Sequence, residues 1–164
     1  QEKLADVFKA ERAHLLRYAC YRLGNEDDAK DVLQDTFLKL HTRIADADDL
    51  QINNLRSYIF RTFTIICAKW QTLTTRVKTI QLDKRMDVVE TSDHENEVDY
   101  RRIVHLLTEI PDEQAEVIRL RIYGDNSFAE VAEILSLPLP TVKSRFLYGL
   151  EKLRKGMKKT INND

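Results

Sequence analysis

Residues 127–154 read SFAEVAEILSLPLPTVKSRFLYGLEKLR, and this stretch decides the fold. Ser127 and Glu130 have the spacing of a capping box, in which a serine caps a helix and a glutamate three residues later reaches back. Apolar residues then recur at helical spacing, at Val131, Ala132, Ile134 and Leu135. Pro138 cannot continue this helix, whereas Pro140 is tolerated at the start of a second helix, where its amide would be unpaired anyway. The pattern predicts two helices joined by a tight turn.

The second of these helices is strongly basic. Between Leu139 and Thr160 there are seven Lys or Arg residues and one acid, Glu151. Its first turns carry hydrogen-bond donors suited to base edges and phosphates, namely Thr141, Lys143, Ser144 and Arg145. We therefore predict a helix-turn-helix unit that binds DNA. The alternative is an ordinary helix pair of an all-helical protein, with a basic face that is only solvated.

The composition indicates a folded, helical protein. The 164 residues are 43% hydrophobic and 32% charged, and only four glycines and three prolines interrupt them, which favours long helices. No apolar run is long enough to cross a bilayer, and no signal peptide is recognisable at the start. Cys20 and Cys67 have neither metal-ligand spacing nor a disulfide framework, so we expect packed thiols in a reducing cytoplasm.

Charge is distributed in blocks along the chain. The net charge of −1 argues against indiscriminate coating of DNA, which needs a large basic excess. Residues 55–80 contain five Lys or Arg and no acid, whereas residues 87–99 contain six acids and no Lys or Arg. Two basic segments therefore flank an acidic middle.

Apolar periodicity predicts an all-α fold of two small helical domains. Predicted helices cover residues 2–23, 26–42, 53–73 and 98–108, a segment that Pro111 opens and Gly124 ends, and the two helices of the quoted stretch. Residues 45–54 are predicted to form a loop. The domains are expected at residues 1–75 and 97–164, with an interdomain linker at 76–96 that contains no glycine or proline and so can be partly helical.

The predicted core follows from the same periodicity. In the first helix we expect buried residues at Leu4, Val7, Phe8, Leu15, Tyr18 and Ala19. In the second we expect them at Ala29, Val32, Leu33, Thr36, Phe37 and Leu40. In the segment that Pro111 opens we expect them at Ala115, Val117, Ile118, Leu120 and Ile122.

Residues that could support catalysis or bind metal are scattered. The four histidines form no metal-ligand set or catalytic triad: His14, His41, His94 and His105. No pair of carboxylates and no nucleophile with an adjacent base can be assembled from the spacing. We therefore expect no enzyme, no metal and no cofactor.

Three segments together resemble one protein family. The first is DAKDVLQDTFLKL at 28–40, which combines a buried stripe with a fixed polar set. The second runs from Ile110-Pro111 to Arg121, and the third is TVKSR at 141–145 with Leu153-Arg154 beyond it. They are similar to the extracytoplasmic-function group of bacterial sigma factors, the small promoter-specificity subunits of RNA polymerase. The resemblance covers about residues 5–156, in the family's order.

The resemblance implies roles for both predicted domains. Residues 1–75 would be the sigma-2-like domain, which docks on polymerase and recognises and melts the −10 element. Residues 97–164 would be the sigma-4-like domain, which recognises the −35 element. The implied partners are core RNA polymerase, promoter DNA and an anti-sigma factor, soluble or membrane-bound. Asp31, Gln34 and Asp35 would dock on a coiled coil of the polymerase largest subunit.

The DNA contacts are assigned to two helices. For the −10 region the candidates are Arg56, Arg61, Lys69 and Trp70, since cations bind phosphates and aromatic rings stack on unpaired bases. The alternative for Trp70, Phe60 and Phe63 is core packing. A flipped base would lie near loop 45–54, where Asn53 and Asn54 could read it. For the −35 region the candidates are Thr141, Lys143, Ser144, Arg145 and Lys152.

Two departures from the family pattern lie in the DNA-binding helices. Where the family usually has an asparagine and an aspartate, this chain has Ile65 and Lys69. Either these residues replace contacts to the −10 element, or Ile65 is buried and the helix is rotated. In the quoted stretch, Pro140 and Ser136 replace common glycines.

Three functions therefore compete. The first is a sigma factor that binds core polymerase, recognises −35 duplex and helps melt −10 DNA. The second is a sigma-like polymerase-binding protein without autonomous melting, which the departures at Ile65 and Lys69 suggest. The third is a helix-turn-helix regulator that dimerises on a palindromic site.

Overall fold

The chain folds into helices and turns throughout the part that the computed structural model describes, residues 2–46, 54–81 and 94–162. Seven α-helices and one π-helical segment, Arg119–Tyr123, occupy these ranges. The α-helices are α1 (Glu2–Leu23), α2 (Glu26–Asp46), α3 (Leu55–Gln81), α4 (His94–Glu109), α5 (Asp112–Ile118), α6 (Phe128–Leu135) and α7 (Leu139–Asn162). The all-α fold class is confirmed.

Gly24 and Asn25 cause the break between α1 and α2. Gly24 adopts φ +75°, a conformation that favours glycine, and its amide donates to the Cys20 carbonyl at 2.9 Å. The Asn25 side chain then accepts the Asp28 amide at 3.1 Å and caps α2, whose first turn is acidic. Helix α2 ends at Asp46, later than the predicted residue 42.

The predicted interdomain linker is partly helical. Helix α3 continues to Gln81 and α4 begins at His94, so residues 76–81 and 94–96 belong to helices. No glycine or proline interrupts these residues, and weak periodicity alone does not end a helix. The rest of the predicted linker, residues 82–93, lies outside the described residues.

The segment from Pro111 to Gly124 is not one regular α-helix as predicted. Pro111 lies at the N-cap position of α5, and a π-helical turn follows that helix, closed by a hydrogen bond from the Gly124 amide to the Arg119 carbonyl at 2.9 Å. The extra residue per turn rotates the following side chains. Ile122, predicted to be buried, is 42% exposed for this reason.

The helix-turn-helix prediction is confirmed in detail. Ser127 and Glu130 form a reciprocal capping box at the start of α6. Ser136 ends α6 in the left-handed conformation at φ 55°, where the family commonly has a glycine. Pro140 is the second residue of α7, as its missing amide allows.

One apolar core joins the N-terminal half (residues 2–81) and the C-terminal half (residues 94–162). The predicted residues of α1 and α2 are buried in it, except that Val7 and Phe37 are half-buried. The same cluster continues into the C-terminal half through Val117, Leu120, Val131, Ile134 and Val142. Helix α1 packs against the π-helical segment, and α3 packs against α6. The two halves are therefore in direct contact.

Candidate functional site

The polar edge of α2 is accessible from solvent. Asp31 and Gln34 are exposed, and the structure gives them no hydrogen bond or ion pair within the described ranges. Asp35 does have a partner within the chain, because its carboxylate lies 3.1 Å from the Lys39 ammonium one helical turn away. That pair is solvated on both sides, so it contributes little to stability and gives way easily to another partner.

A groove of about 610 Å³ runs beside this edge, between α1 and α2. Its floor is apolar, from Phe8, Leu33, Phe37 and Leu38, and its rims carry charge of both signs. Leu38 is 56% exposed here, an unusual position for a large apolar residue. The groove and the edge together form a surface suited to a protein partner.

Arg56 lies at the contact between α3 and the C-terminal half. Its guanidinium lies 3.0 Å from Glu11 and 2.7 Å from Glu130, and it also donates to the Asp125 carbonyl at 3.2 Å and to the Asn126 side chain. The side chain is 20% exposed. Burial alone would raise the pKa of Glu11, but the hydrogen bonds from His14 and Arg56 and the charge of Arg56 lower it overall.

Arg61, one to two turns further along α3, contacts the end of α6. Its guanidinium donates to the Ile134 carbonyl at 3.2 Å, to the Glu133 carbonyl at 2.6 Å and to the Ser136 hydroxyl at 3.0 Å. These carbonyls belong to the last turn of a helix, which carries partial negative charge, and the Glu133 carbonyl also accepts the Ser136 amide at 3.3 Å.

The remaining residues of α3 separate into exposed and buried groups. Lys69 is exposed and Ile65 is 51% exposed, so the interpretation that Ile65 is buried in a rotated helix is wrong. Phe60 and Phe63 are completely buried, which confirms the packing interpretation for both. Trp70 is half-buried and packs against the same core. Aromatic stacking on DNA is therefore not available from Phe60 or Phe63 in this conformation.

The predicted base-reading loop is mostly outside the described residues, including Asn53. Asn54 directly precedes α3 and caps it, because its side-chain oxygen accepts the Ser57 amide at 3.2 Å. Its side-chain nitrogen donates to Glu133 at 3.0 Å and so links the two halves.

Helix α7 presents a polar and basic outer face. Lys143, Ser144 and Lys152 are exposed, whereas Thr141 and Arg145 are half-buried at the flanks of that face. Two large apolar residues of α7, Leu147 and Tyr148, are also 66% and 61% exposed. A helix with such a face can enter a major groove with donors at its amino-terminal end.

A polar network that no sequence pattern indicated lies at the contact between α1 and α5. The Glu116 carboxylate lies 3.2 Å from Arg22 and 3.4 Å from Arg119, and it accepts the hydroxyl of fully buried Tyr18. Arg119 also donates to the Tyr21 carbonyl at 3.3 Å. Burial raises the pKa of Tyr18 well above its ordinary value, so the phenol stays a donor. Residues almost a hundred positions apart meet here, and no local pattern encodes that.

The two cysteines and His14 are the remaining groups that could carry chemistry. Burial raises the pKa of the Cys20 thiol to about 11 and that of Cys67 to about 12, so both stay protonated near neutral pH. His14 contacts Glu11 at 3.0 Å and Asp125 at 3.5 Å. Among the described residues, no cluster of His, Cys, Asp and Glu has the composition of a metal site. In the same ranges, no helix has the length and apolar character that spanning a bilayer requires.

Two family models match this chain, Sigma-70 region 2 over residues 7–67 and Sigma-70, region 4 over residues 106–155. Among proteins of Bacillus subtilis (strain 168), the ECF RNA polymerase sigma factor SigW is 26% identical over 180 residues, which covers 96% of this chain and 90% of SigW. The RNA polymerase sigma factor YlaC is 22% identical over 166 residues, covering 98% of this chain and 95% of YlaC.

Solved structures share the fold. The sigma factor RpoE, in a complex with the anti-sigma factor NepR from Bartonella quintana, superposes with a TM-score of 0.63 at 21% identity, over 96% of this chain and 95% of RpoE. CnrH, in a complex with the cytosolic domain of CnrY, superposes with a TM-score of 0.69 at 20% identity, over 97% of this chain and 90% of CnrH. With a region 2 and a region 4 in family order on an all-α fold, the chain belongs to the extracytoplasmic-function sigma factors of bacterial RNA polymerase.

Proposed function

We propose that this sigma factor divides its work between two domains. Residues 1–75 bind core RNA polymerase and the −10 element, and residues 97–164 bind the −35 element as duplex. The observation that carries this proposal is the exposure of two separate surfaces, the polar edge of α2 and the outer face of α7. Each is accessible while the halves remain packed together.

Docking on polymerase is assigned to Asp31, Gln34 and Asp35. Two of these side chains are free of described partners and the third has only a solvated ion pair, so they can be desolvated at low cost. The neighbouring groove supplies apolar area, which an interface of useful affinity needs in addition to charge. Helix α2 is therefore suited to bind a polymerase helix along its length.

A pull-down with purified core polymerase tests this assignment. The triple variant Asp31→Ala, Gln34→Ala and Asp35→Ala should keep its helical content, because these residues lie off the buried stripe, and should lose most of its polymerase binding. The control is the double variant Asp6→Ala and Glu109→Ala, which also removes two negative charges but from other exposed positions. It should bind polymerase normally. Full binding by a folded triple variant would refute the assignment.

Promoter recognition is assigned to α7 and α3. On α7, Arg145 and Lys143 are suited to guanine edges or phosphates, Ser144 and Thr141 to phosphates or bases, and Lys152 to the backbone. On α3, Arg56, Arg61 and Lys69 supply cations for the −10 strand, and Trp70 offers an aromatic edge beside them.

Transcription in vitro from genomic fragments, with purified core polymerase, tests the whole function. We expect specific start sites that depend on this chain. A helix-turn-helix regulator would instead form a dimer and bind a palindromic site without polymerase. A monomer that binds duplex DNA weakly until core polymerase is added would exclude that alternative.

A second candidate is a polymerase-binding protein that does not melt promoters by itself. It is favoured by the exposure of Ile65 and Lys69 where the family pattern has an asparagine and an aspartate. An exposed aliphatic side chain cannot make the hydrogen bonds of an amide to an unpaired base. Permanganate reactivity of −10 thymines in the polymerase complex distinguishes the two candidates.

We further infer that an anti-sigma factor regulates this chain. Support comes from structural neighbours that were solved as complexes, one of them with an anti-sigma factor. The chain would act in the cytoplasm, where polymerase is, and would act by binding, without catalysis.

A further inference from the structure

Two large apolar side chains lie among the polar side chains on the outer face of α7. Leu147 is 66% exposed and Tyr148 is 61% exposed, and we call these two residues the apolar pair. Residues four positions apart are neighbours on a helix surface. Leu147 is therefore beside Lys143. Tyr148 is between Ser144 and Lys152, so the apolar pair belongs to the face that we assign to DNA, although it has no role there yet.

Packing on the opposite side of α7 holds the apolar pair outward. Val142 is completely buried, and the Phe146 ring packs against Phe128 with centroids 5.1 Å apart and planes at 74°. Gly149 lies directly on α5, since a Cβ added there would be 2.7 Å from the Ile118 side chain. A rotation of α7 that buried the apolar pair would move a larger side chain into that contact. The apolar pair is therefore exposed because of how α7 packs, and it contributes little to the core.

The charge around the apolar pair matches duplex DNA. Exposed cations lie within two turns of it on the same side of α7, namely Lys143, Lys152, Arg154 and Lys155. Glu151 is the one acid in the sequence of α7, and its carboxylate lies 3.5 Å from the Lys155 ammonium. Phosphates flank every base edge in a groove, so an apolar centre surrounded by cations is complementary to a base edge between two backbones.

The chemistry of the apolar pair selects one kind of base edge. The C5 methyl group of thymine is the apolar group that base edges present in the major groove. A leucine side chain has no hydrogen-bonding atom, so against a polar edge Leu147 would displace water without replacing its hydrogen bonds. Against a methyl group, the same contact removes apolar surface from water on both sides. The Tyr148 ring makes an equivalent contact, and its hydroxyl can donate to a phosphate oxygen at the edge of the groove.

The place of the apolar pair along α7 is next to the DNA contacts already assigned. At 1.5 Å per residue, the apolar pair follows Lys143 and Ser144 by about 6 Å along the helix axis. Base pairs are stacked about 3.4 Å apart. A helix that presents Lys143 and Ser144 to one base pair therefore brings the apolar pair to bases about two steps away.

We propose that Leu147 and Tyr148 are specificity-determining residues that bind the C5 methyl group of a pyrimidine in the −35 duplex. This inference rests on the proposed function, which assigns α7 to that duplex. Thymine carries the methyl group in ordinary DNA, and 5-methylcytosine carries it at the same ring position. Recognition of the contacted position therefore responds to cytosine methylation as well as to sequence.

Removal of single methyl groups from the duplex tests the proposal on holoenzyme assembled from core polymerase and the full chain. A preferred −35 duplex is first selected from a randomised library. Each of its thymines, on either strand, is then replaced singly by uracil, which keeps every hydrogen-bonding group of the base edge. Competition binding followed by fluorescence anisotropy should show one or two thymines at which uracil weakens binding about fourfold, equivalent to about 0.8 kcal/mol for one methyl group. A preferred duplex without thymine, or equal binding at every substituted position, overturns the proposal.

Variants of the chain identify the side chain behind each loss. Leu147→Ala and Tyr148→Ala should each make binding indifferent to uracil at one of the sensitive positions. The control is Met157→Ala, which shortens an apolar residue that is 38% exposed further along α7, and it should keep the fourfold loss. All three side chains are exposed, so circular dichroism should show unchanged helical content. A uracil effect that survives at full size in both Leu147→Ala and Tyr148→Ala contradicts the assignment.

Addition of a methyl group tests the proposal from the opposite direction. With a cytosine–guanine pair at a sensitive position, 5-methylcytosine should bind about fourfold more tightly than cytosine to the unsubstituted chain, and equally to the corresponding alanine variant. No gain from the methyl group contradicts the proposal. Loss of core-polymerase binding by Leu147→Ala overturns it as well, because Leu147 would then contact protein. Sequence-specific duplex binding that persists in these cases leaves the proposed function standing, whereas a holoenzyme with no preferred duplex refutes the −35 assignment too.

Discussion

The replacement Glu116→Ala tests how much the buried polar network contributes to the fold. The Glu116 side chain is 15% exposed, and its partners Arg22 and Arg119 are 14% and 8% exposed. Removing one partner of such a pair costs about 3–5 kcal/mol, because the remaining charges stay buried without compensation. Since neither side is completely desolvated, we expect the lower end, about 3 kcal/mol.

The assay is urea unfolding followed by far-ultraviolet circular dichroism, with a thermal scan beside it. For a chain of this size, a loss of about 3 kcal/mol lowers Tm by about 6–12 °C. Glu113→Ala, an exposed position on the same helix, should change the free energy of unfolding by no more than about 0.5 kcal/mol. Glu116→Gln keeps an acceptor for the Tyr18 hydroxyl and should fall between these two.

A small effect of Glu116→Ala would mean that the network contributes little to stability. If Glu116→Ala lies within about 1 kcal/mol of Glu113→Ala, the carboxylate is not holding two buried cations, and the contact between α1 and α5 depends on its apolar neighbours instead. A large effect with unchanged helical content at low urea supports the network.

Three further predictions concern DNA and pH. Arg145→Ala should cost about 1–3 kcal/mol on the preferred duplex and relax preference at one position, whereas Lys152→Ala should weaken all duplexes about equally; binding titrations on a set of single-base variants check this. Promoter melting, followed by permanganate reactivity across a salt series, should be strongly salt-sensitive and should decrease with Lys69→Ala; melting untouched by the substitution would make Lys69 an ordinary surface lysine. Stability should fall as pH rises above about 10, because unfolded tyrosines lose their protons near that pH whereas burial raises the pKa of Tyr123 to about 12 and that of Tyr18 well above the ordinary value. Urea midpoints across this range, with tyrosinate absorbance, check the direction.

Local signals were enough to predict most of the fold. The Ser127 capping box, the glycine after α1 and the prolines around the turn each act through neighbouring backbone groups, so their effect is visible in the sequence. The π-helical turn was not predictable, because an extra residue in one turn is stabilised by its tertiary contacts, among them the stack of Tyr123 on Tyr21.

Long-range contacts account for what the sequence did not predict at the candidate site. Arg56 and Arg61 were predicted to bind −10 DNA, and the partners that they have in the folded chain lie about seventy positions away and depend on how the halves pack. No local signal indicated the exposure of Leu147 and Tyr148 either. Periodicity identifies the buried stripe of a helix, and it does not identify which apolar residues fall outside that stripe when a helix is largely exposed.

The continuous core has a consequence for an opened molecule, meaning any molecule whose two halves have separated. Apolar residues of both halves belong to one cluster, so separating the halves hydrates surface that was dry. That exposure raises the heat capacity of the opened form and makes it adhesive toward other apolar surfaces. An opened molecule in dilute solution is therefore short-lived and prone to aggregate. The opened form persists only where another macromolecule covers the newly exposed surface as it appears.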